Sequence, residues 1–518
     1  MPLSRTAPPR DDVVQDLVVR ARKRLDALSP AARTALLEDA LYTERKRLER
    51  SKAKPGEREL LDQLASSLVS GASDASTDAA GALITAWAAE VHGHFDPRVY
   101  RFATRLLPRV LTALLSRRSP NPRRWDLAPD RRLKIHGDTA FLRELASEAT
   151  LVLVPTHLSN LDSPIIGLAL HLAGLPPVVY GAGLNLFSNP IMGWFMSRLG
   201  AYTVDRTKKS MLYKDVLKDY SVRCLTTGRH SLFFPGGTRS RSGAIERGLK
   251  KGLMGTGIEA WQEMLEAGRP KPDVYFVPLT LTSQLVLEAN TLITDHLEEA
   301  GKQRFIITDD ESADARRILH FARRILELDS AAVAHFGAPI DVLGQPVARD
   351  IAEREAQSQT RRGYVCDRDG RVERDPQRDR IYTNRLAHAI GDAYPRGHHM
   401  MANHVAAHVA WKLLAEREGT SDPFRLVRAG EDARQLPRAV FLERLGQTLE
   451  RVQAGAAVGR FVSNLSTDPT QVLTEALDRF QRYHRTSALT ARGDQIVVTD
   501  AKLTLYYSNR LDHPALEV

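Results

Sequence analysis

The amino-acid sequence predicts an α/β fold, with a mixed sheet flanked by helices in the middle of the chain and helical regions at both ends. Residues 136–345 alternate short β-rich runs with helical runs, a pattern typical of a sheet with helices on its faces and sites at its strand ends. Residues 1–135 and 346–518 show mostly helical spacing instead. We therefore expect three regions with these boundaries.

The composition is that of a globular protein with anionic partners. Among 518 residues 43% are hydrophobic and 26% are charged, and the net charge of +10 favours phosphorylated metabolites or an acidic membrane surface. No zinc-finger spacing, RNA-binding aromatic motif or helix-turn-helix occurs, so nucleic acid is not an expected partner. Two cysteines, Cys224 and Cys366, cannot form a disulfide framework, and the N-terminus has no apolar signal region. We expect a reducing, cytoplasmic environment.

A basic amphipathic segment closes the first region. Residues 98–124 contain eight arginines and no acidic residue. Apolar side chains recur there at helical spacing, at Val99, Phe102, Leu106, Val110 and Leu114. A helix with one apolar and one basic face suits an anionic membrane surface, and the alternative is a surface helix packed on the next domain. The sequence thus predicts a peripheral membrane protein on the cytoplasmic face.

The central region contains several strand-like runs. "TLVLVPT" (150–156) reads as a buried strand, and "SPIIGLALHLAG" as a helix with Ser163 as its cap and Pro164 in its first turn. Further strand candidates are "PVVYGAG", "YTVDR", "SLFFPGG" and "VYFVPLTLT". Residues 163–197 lack charge but are interrupted by glycine and proline, so they form either core or a lipid-facing surface. The charged stretch after residue 347 reads as a solvated connection, and "GDQIVVTD" near the C-terminus as a strand.

His157 and Asp162 directly follow the most apolar strand. A histidine at a strand end can project into a cleft, and the loop can bring Asp162 back to its ring. One ring nitrogen would then take a proton from a hydroxyl while the carboxylate holds the other N–H. The alternative is a structural loop histidine with an aspartate at a helix entry.

The stretch "LFFPGGTRSRSG" (232–243) predicts an anion site. Glycines allow backbone N–H groups to approach an anion, and Arg239 and Arg241 can donate paired hydrogen bonds to phosphate oxygens. No glycine-lysine-serine/threonine follows at P-loop spacing, which favours a phosphorylated metabolite over an energy-supplying nucleotide. A surface turn with solvated arginines is the alternative.

Two other chemistries are weakly indicated. His404 and His408 have the i, i+4 spacing of helical metal ligands, but Val405 stands where a zincin has glutamate, so an amphipathic helix is the favoured interpretation. A serine hydrolase would need Ser159 or Ser242 as nucleophile, and no G-x-S-x-G motif occurs.

Four motifs together resemble those of a known family. "PTHLSNLD", "LGAYTVDR", "FPGGTRSRSG" and "VPLTLT" resemble, in order and spacing, the four blocks of the glycerolipid acyltransferases. The most similar branch is that of the glycerol-3-phosphate and dihydroxyacetone-phosphate acyltransferases. The resemblance implies that His157, paired with Asp162, deprotonates a glycerol hydroxyl that attacks the thioester of acyl-CoA or acyl carrier protein, without an acyl-enzyme. It also implies a set of substrate-binding residues, namely Arg206, Lys209 (or Lys208), Gly237, Thr238, Arg239, Ser240, Arg241 and Pro278.

The implied reaction is acylation of glycerol 3-phosphate to lysophosphatidate in phospholipid biosynthesis, with the acyl donor as cosubstrate and no metal or bound cofactor. Lysophosphatidate and dihydroxyacetone phosphate are the alternative acceptors. One position departs from the family, because Gly236 stands where the third block carries glutamate. This departure leaves open whether another acidic residue takes the place of the glutamate. It also motivates a third hypothesis, besides the acyltransferase and the serine hydrolase, of a lipid-surface protein with impaired catalysis.

Overall fold

The structure is a computed structural model that describes residues 10–50, 56–70, 73–104, 133–184, 190–300, 332–482 and 484–516. Residues 97–104 of the predicted membrane-facing segment are helical, and Phe102 is exposed. The positions Leu106, Val110 and Leu114 of that segment lie outside the described residues.

Helices dominate the first region, as predicted. They are α1 (Arg10–Asp26), α2 (Pro30–Leu48), α3 (Glu57–Val69) and α4 (Ser73–Val91). The side chain of Ser29 caps α2 by accepting a backbone N–H. Leu17 and Trp87 are buried in one apolar cluster with Tyr213 and Tyr220 of the later helix Met211–Thr226. The helical region therefore shares a core with the central region.

Within the described residues, eight strands form one mixed sheet. They are β1 (Leu133–His136), β2 (Thr150–Pro155), β3 (Val179–Gly183), β4 (Ala201–Val204), β5 (Ser231–Leu232), β6 (Val274–Ser283), β7 (Ala332–Phe336) and β8 (Ile340–Asp341). The strand order is β1-β7-β6-β2-β5-β3-β4, and β8 pairs with β6. Strands β6, β2, β5, β3 and β4 run parallel, whereas β7 runs antiparallel to β6. The predicted α/β class is confirmed, and β1 extends over the boundary expected at residue 135.

Helices connect these strands. They are α5 (Thr139–Glu148), α6 (Asp162–Leu172), α7 (Pro190–Arg198), α8 (Met211–Thr226), α9 (Gly255–Glu266) and α10 (Ala289–Ala300). We expected Ser163 to cap α6, but this helix begins at Asp162, and Leu161 at the cap position makes no side-chain hydrogen bond. The physical reason is that the Asp162 carboxylate binds the loop before the helix, where it accepts the backbone N–H groups of Leu158 and Ser159.

The C-terminal region is mostly helical and adds a small sheet. Its helices are α11 (Ile351–Gly363), α12 (Pro376–Arg396), α13 (Ala402–Glu418), α14 (Pro423–Val427), α15 (Arg438–Ala457), α16 (Pro469–Gln481) and α17 (Ala501–Ser508). The antiparallel sheet contains β9 (Gln435–Pro437), β10 (Leu489–Arg492) and β11 (Gln495–Val498). The strand predicted in "GDQIVVTD" is β11, and α17 follows it.

The charged stretch after residue 347 was predicted as a solvated connection; it is largely exposed, but its first part is a helix. This helix is α11, whose start is capped by Asp350. Arg361 of this helix is buried and donates a hydrogen bond of 2.7 Å to Asp273 and one of 3.3 Å to Asp341. A charged helix can thus pack against the sheet because its inward arginine meets two carboxylates.

None of the helices within the described ranges has both the length and the apolar character that a bilayer crossing requires.

Candidate active site

A histidine–aspartate pair lies at the carboxyl end of β2, in the middle of the parallel strands. Pro155 ends the strand, and the chain turns through His157 into α6. His157 Nδ1 lies 2.9 Å from Asp162 Oδ2. The same oxygen accepts the N–H groups of Leu158 and Ser159 at 2.6 and 2.9 Å. These bonds orient the ring and leave Nε2, on its far side, as the nitrogen for a substrate proton.

Packing supports this orientation. The His157 ring stacks on Phe234, with ring centroids 3.9 Å apart and planes inclined by 24°. The Asp162 side chain is 1% exposed, whereas that of His157 is 11% exposed. The carboxylate is therefore shielded from water, whereas part of the imidazole is exposed.

The glycine–arginine loop follows β5 and is attached directly to His157. Gly237 has a φ of 78°, a conformation that favours glycine, and its N–H donates to the Phe234 carbonyl at 3.0 Å. Ser240 N–H donates to the His157 carbonyl at 2.8 Å. His157 and the loop are thus joined by a backbone hydrogen bond.

Two of the predicted anion-binding arginines influence each other. Burial and the positive charge of Arg239 together lower the pKa of Arg206. Arg239 Nη1 donates to Glu288 Oε1 at 3.3 Å, and this contact orients the guanidinium. Arg206 follows β4 and Arg239 follows β5, and the charge of Arg239 reaches Arg206.

The side chains of the other predicted residues have partners or positions apart from the His157–Asp162 pair. Arg241 Nη1 pairs with Glu299 at 2.5 Å on the surface. Ser240 Oγ donates to the Ala244 carbonyl, and Thr238 and Lys209 are exposed. Pro278 is buried within β6, where it pairs in register with Val154 of β2.

The Lys208 side chain is buried among acidic and aromatic side chains. It is 1% exposed and lies 2.8 Å from Glu90 and 3.6 Å from Glu57. The ammonium group also lies over the rings of Trp87 and Tyr213. Lys208 therefore links the first helical region to the loop after β4.

Sequence reasoning missed three residues at this site. Glu288 is fully buried, accepts from Ser159 Oγ at 2.7 Å, and has its pKa raised by burial. Glu246 Oε1 accepts the backbone N–H of His157 at 2.7 Å. A Cβ atom built on Gly237 would lie 2.4 Å from the Nζ of Lys250, which places a further cation at the loop. These residues are distant from His157 in sequence and belong to no motif, so no signal marked them.

The residues of the competing hypotheses have other partners. Ser159 Oγ binds Glu288, and Ser242 Oγ accepts the Ala244 N–H. His404 Nε2 lies 3.1 Å from the Ser283 carbonyl and His408 Nδ1 lies 3.5 Å from Ser508 Oγ, both in a buried helix. No hydrogen bond between Ser159 and His157 is found among the described side chains, and this geometry does not favour a serine nucleophile.

The similarity to known proteins lies in the segment that contains the His157 loop and the glycine–arginine loop. The acyltransferase family model matches residues 132–282. This segment is similar to acyltransferase domains. Over 217 residues the chain is 28% identical to the glycerol-3-phosphate acyltransferase of Xylella fastidiosa (strain M12), covering 41% of this chain. Over 201 residues it is 30% identical to the glycerol-3-phosphate acyltransferase of Pasteurella multocida (strain Pm70), covering 38% of this chain. The resemblance drawn from the four motifs is confirmed.

These matches are partial. The aligned segment spans 23% of the length of each of the two relatives. The crystal structure of the 1-acyl-sn-glycerophosphate acyltransferase of Thermotoga maritima covers 51% of this chain and 94% of its own chain, with 13% sequence identity and a TM-score of 0.25.

Proposed function

We propose that the protein transfers a fatty acyl group from acyl-CoA or acyl carrier protein to a hydroxyl of glycerol 3-phosphate and forms lysophosphatidate. The observation that carries the proposal is the His157–Asp162 pair, joined to the Arg239 loop by the Ser240–His157 backbone bond. The acceptor is taken from the relatives, which are named glycerol-3-phosphate acyltransferases.

In the proposed mechanism His157 Nε2 takes the proton of the acceptor hydroxyl. The hydroxyl oxygen attacks the thioester carbonyl, a C–O bond forms, and the C–S bond breaks. The imidazolium then returns its proton to the leaving thiolate, and Asp162 stabilises the imidazolium meanwhile. Nothing in this route requires an acyl-enzyme, a metal or a bound cofactor.

The acceptor phosphate would be held by the arginines. Arg206 and Arg239 are close enough that the charge of one lowers the pKa of the other, and a phosphate between them would relieve this repulsion. Holding the phosphate at the loop while the hydroxyl meets His157 would turn the reaction into an oriented, effectively unimolecular step.

The direct test is an acylation assay. Purified protein receives labelled glycerol 3-phosphate and palmitoyl-CoA, with the His157→Ala variant alongside, and parallel reactions contain lysophosphatidate, dihydroxyacetone phosphate or an acyl carrier protein donor. We expect labelled lysophosphatidate from the wild type and a loss of about 10³-fold or more in the variant.

Other outcomes would change the proposal in defined ways. Product from another acceptor alone would keep the mechanism and change the substrate. Equal rates for the wild type and His157→Ala would refute the role of the base. No product from any pair, in folded protein, would favour the lipid-surface hypothesis.

The proposal includes peripheral attachment to an anionic membrane on the cytoplasmic face. Its support is that Phe102 and Trp194 are 53% and 51% exposed, and that Arg198 lies 4.2 Å from the Trp194 ring, an arrangement suited to a lipid headgroup region. We expect sedimentation with phosphatidylglycerol vesicles, weaker binding to neutral vesicles, and a loss of about threefold or more in Trp194→Ala. Equal binding of that variant would contradict the role of Trp194.

A further inference from the structure

The carboxylate of Glu246 contacts the backbone of the proposed base. Its Oε1 accepts the N–H of His157 at 2.7 Å. Its Oε2 is buried and has no hydrogen-bond partner among the residues that the structure describes. Glu246 lies beyond the two arginines of the loop, so the chain returns to His157 after passing the proposed anion site.

The same side chain occupies the space beside Gly236. A Cβ atom built on Gly236 would lie 3.1 Å from Glu246 Cγ and 3.4 Å from its Oε1. The φ of Gly236 is not in the left-handed region, in contrast to that of Gly237. Backbone conformation therefore does not require glycine at position 236, whereas the volume taken by Glu246 favours it.

Glu246 also completes a two-sided attachment of His157. The His157 carbonyl accepts from Ser240 N–H at 2.8 Å, and the His157 N–H donates to Glu246. Both peptide groups of the base are thus bound to the loop that carries Arg239. The distance between the base and the anion-binding guanidinium depends on these two bonds.

The Glu246 carboxylate has a buried oxygen, Oε2, and its pKa is raised above the ordinary value. Burial raises its pKa, while the His157 N–H and the positive charge of Arg510 act in the opposite direction. Arg510 is 1% exposed and donates to the Gly243 carbonyl at 2.9 Å. The C-terminal region thus supplies a cation that favours the ionised carboxylate.

We infer that Glu246 is a positioning residue, which supplies from the downstream side of the loop the carboxylate that the resemblance led us to expect at the position of Gly236. It acts by fixing the backbone of His157 relative to Arg239. The inference rests on the proposed acyltransferase function.

The test is a pair of substitutions that returns the carboxylate to position 236. Glu246→Ala, Glu246→Gln and the double variant Gly236→Glu/Glu246→Ala are compared with the wild type in the glycerol 3-phosphate assay, with Glu263→Ala as a control. Glu263 lies on α9 and pairs with Arg20 of α1.

We expect Glu246→Ala to lower kcat by about 10- to 100-fold with KM changed by less than about threefold, because the base is displaced. Glu246→Gln keeps an oxygen acceptor and should stay within about threefold of the wild type. The double variant should regain about tenfold over Glu246→Ala. Wild-type kcat in Glu246→Ala, or no recovery in the double variant while Glu263→Ala is active, would overturn the inference.

A thermal unfolding cycle separates this inference from the proposed function. We expect Gly236→Ala to lower Tm in the wild type, because Glu246 Cγ is too close, and to lower it clearly less in the Glu246→Ala background. If Gly236→Ala lowers Tm equally in the wild type and in the Glu246→Ala background, Glu246 does not occupy the space beside position 236, and the inference is wrong. Inactivity of the wild type on all acceptors would refute the proposed function. The Tm measurements would still show whether Glu246 occupies the space beside Gly236.

Discussion

At the residue scale, one carboxylate oxygen orients His157, the proposed base. Asp162 Oδ2 accepts from His157 Nδ1 and from two backbone N–H groups. An amide at this position could keep the backbone bonds, but it would lose the charge that stabilises an imidazolium.

We therefore predict that Asp162→Asn lowers kcat by about 10²- to 10⁴-fold while KM for glycerol 3-phosphate changes little. Steady-state kinetics on the purified variant measure this. Asp138→Asn is a suitable control, because Asp138 accepts a backbone N–H at the start of α5 in the same way. A kcat within threefold of the wild type would show that the charge of Asp162 is unimportant.

The sequence predicted this pair but not the acids around it. His157 and Asp162 are neighbours in the chain, so a loop can join them in any fold that ends a strand at Pro155. Glu288 reaches Ser159 only because β6 lies beside β2 and carries the chain back to the same sheet edge. No local pattern contains that information.

At the element scale, the glycine–arginine loop is packed between the sheet and the C-terminal helix α17. Gly243 has a φ of 85°, and a Cβ atom on it would lie 2.3 Å from the Tyr506 carbonyl oxygen. Asn509 donates to the Ser242 carbonyl at 2.9 Å. The loop conformation thus depends on an element far along the chain.

We predict that Gly243→Ala lowers the free energy of unfolding by about 3 kcal/mol or more, since it combines a left-handed backbone with overpacking against a carbonyl. Gly268→Ala is the matched control, because Gly268 has a φ of 60° and no atom within 4 Å of its built Cβ. It should cost only about 1 kcal/mol. Urea titration of both variants measures the difference, and equal losses would contradict the packing argument.

Helices and strands were predicted correctly where apolar residues form a continuous run or recur with a clear helical spacing. The apolar run of β2 and the helical spacing of α1 were both correctly predicted. Helix α11 was missed because its charged residues read as solvated, and only Asp273 and Asp341 on neighbouring elements explain its buried Arg361.

At the scale of the whole molecule, the C-terminal region holds several buried neutral histidines near the catalytic core. Burial lowers the pKa of His484 to about 4, and its Nε2 lies 2.7 Å from the hydroxyl of Tyr507. Tyr507 in turn accepts the N–H of Val286, in the loop that leads to Glu288. Acid should therefore loosen the contact between this region and the active site.

The sign of the effect follows from proton binding. The unfolded chain protonates His484 below its ordinary pKa of 6.5, whereas the folded protein does so only near 4, so stability present above pH 6.5 is lost as pH falls. This residue alone should cost about 3 kcal/mol by pH 4.

We predict that His484→Gln, which keeps a hydrogen-bond acceptor for Tyr507, makes unfolding free energy less dependent on pH between 6.5 and 4 by up to about 1.4 kcal/mol per pH unit. Urea titrations at several pH values measure the slope. An unchanged slope would show that His484 does not titrate on unfolding in this range.

The sequence by itself determined the α/β class and the neighbourhood of His157 and Asp162, and it predicted an anion site in the glycine–arginine loop, because each depends on neighbouring residues or on a local period. The tertiary structure alone decided that Glu246 lies beside Gly236, that Lys208 is a buried link, and that Arg510 lies behind the loop. These relations join residues from separate elements. They exist only because parallel strands bring their carboxyl ends to one sheet edge and the C-terminal helices pack against it.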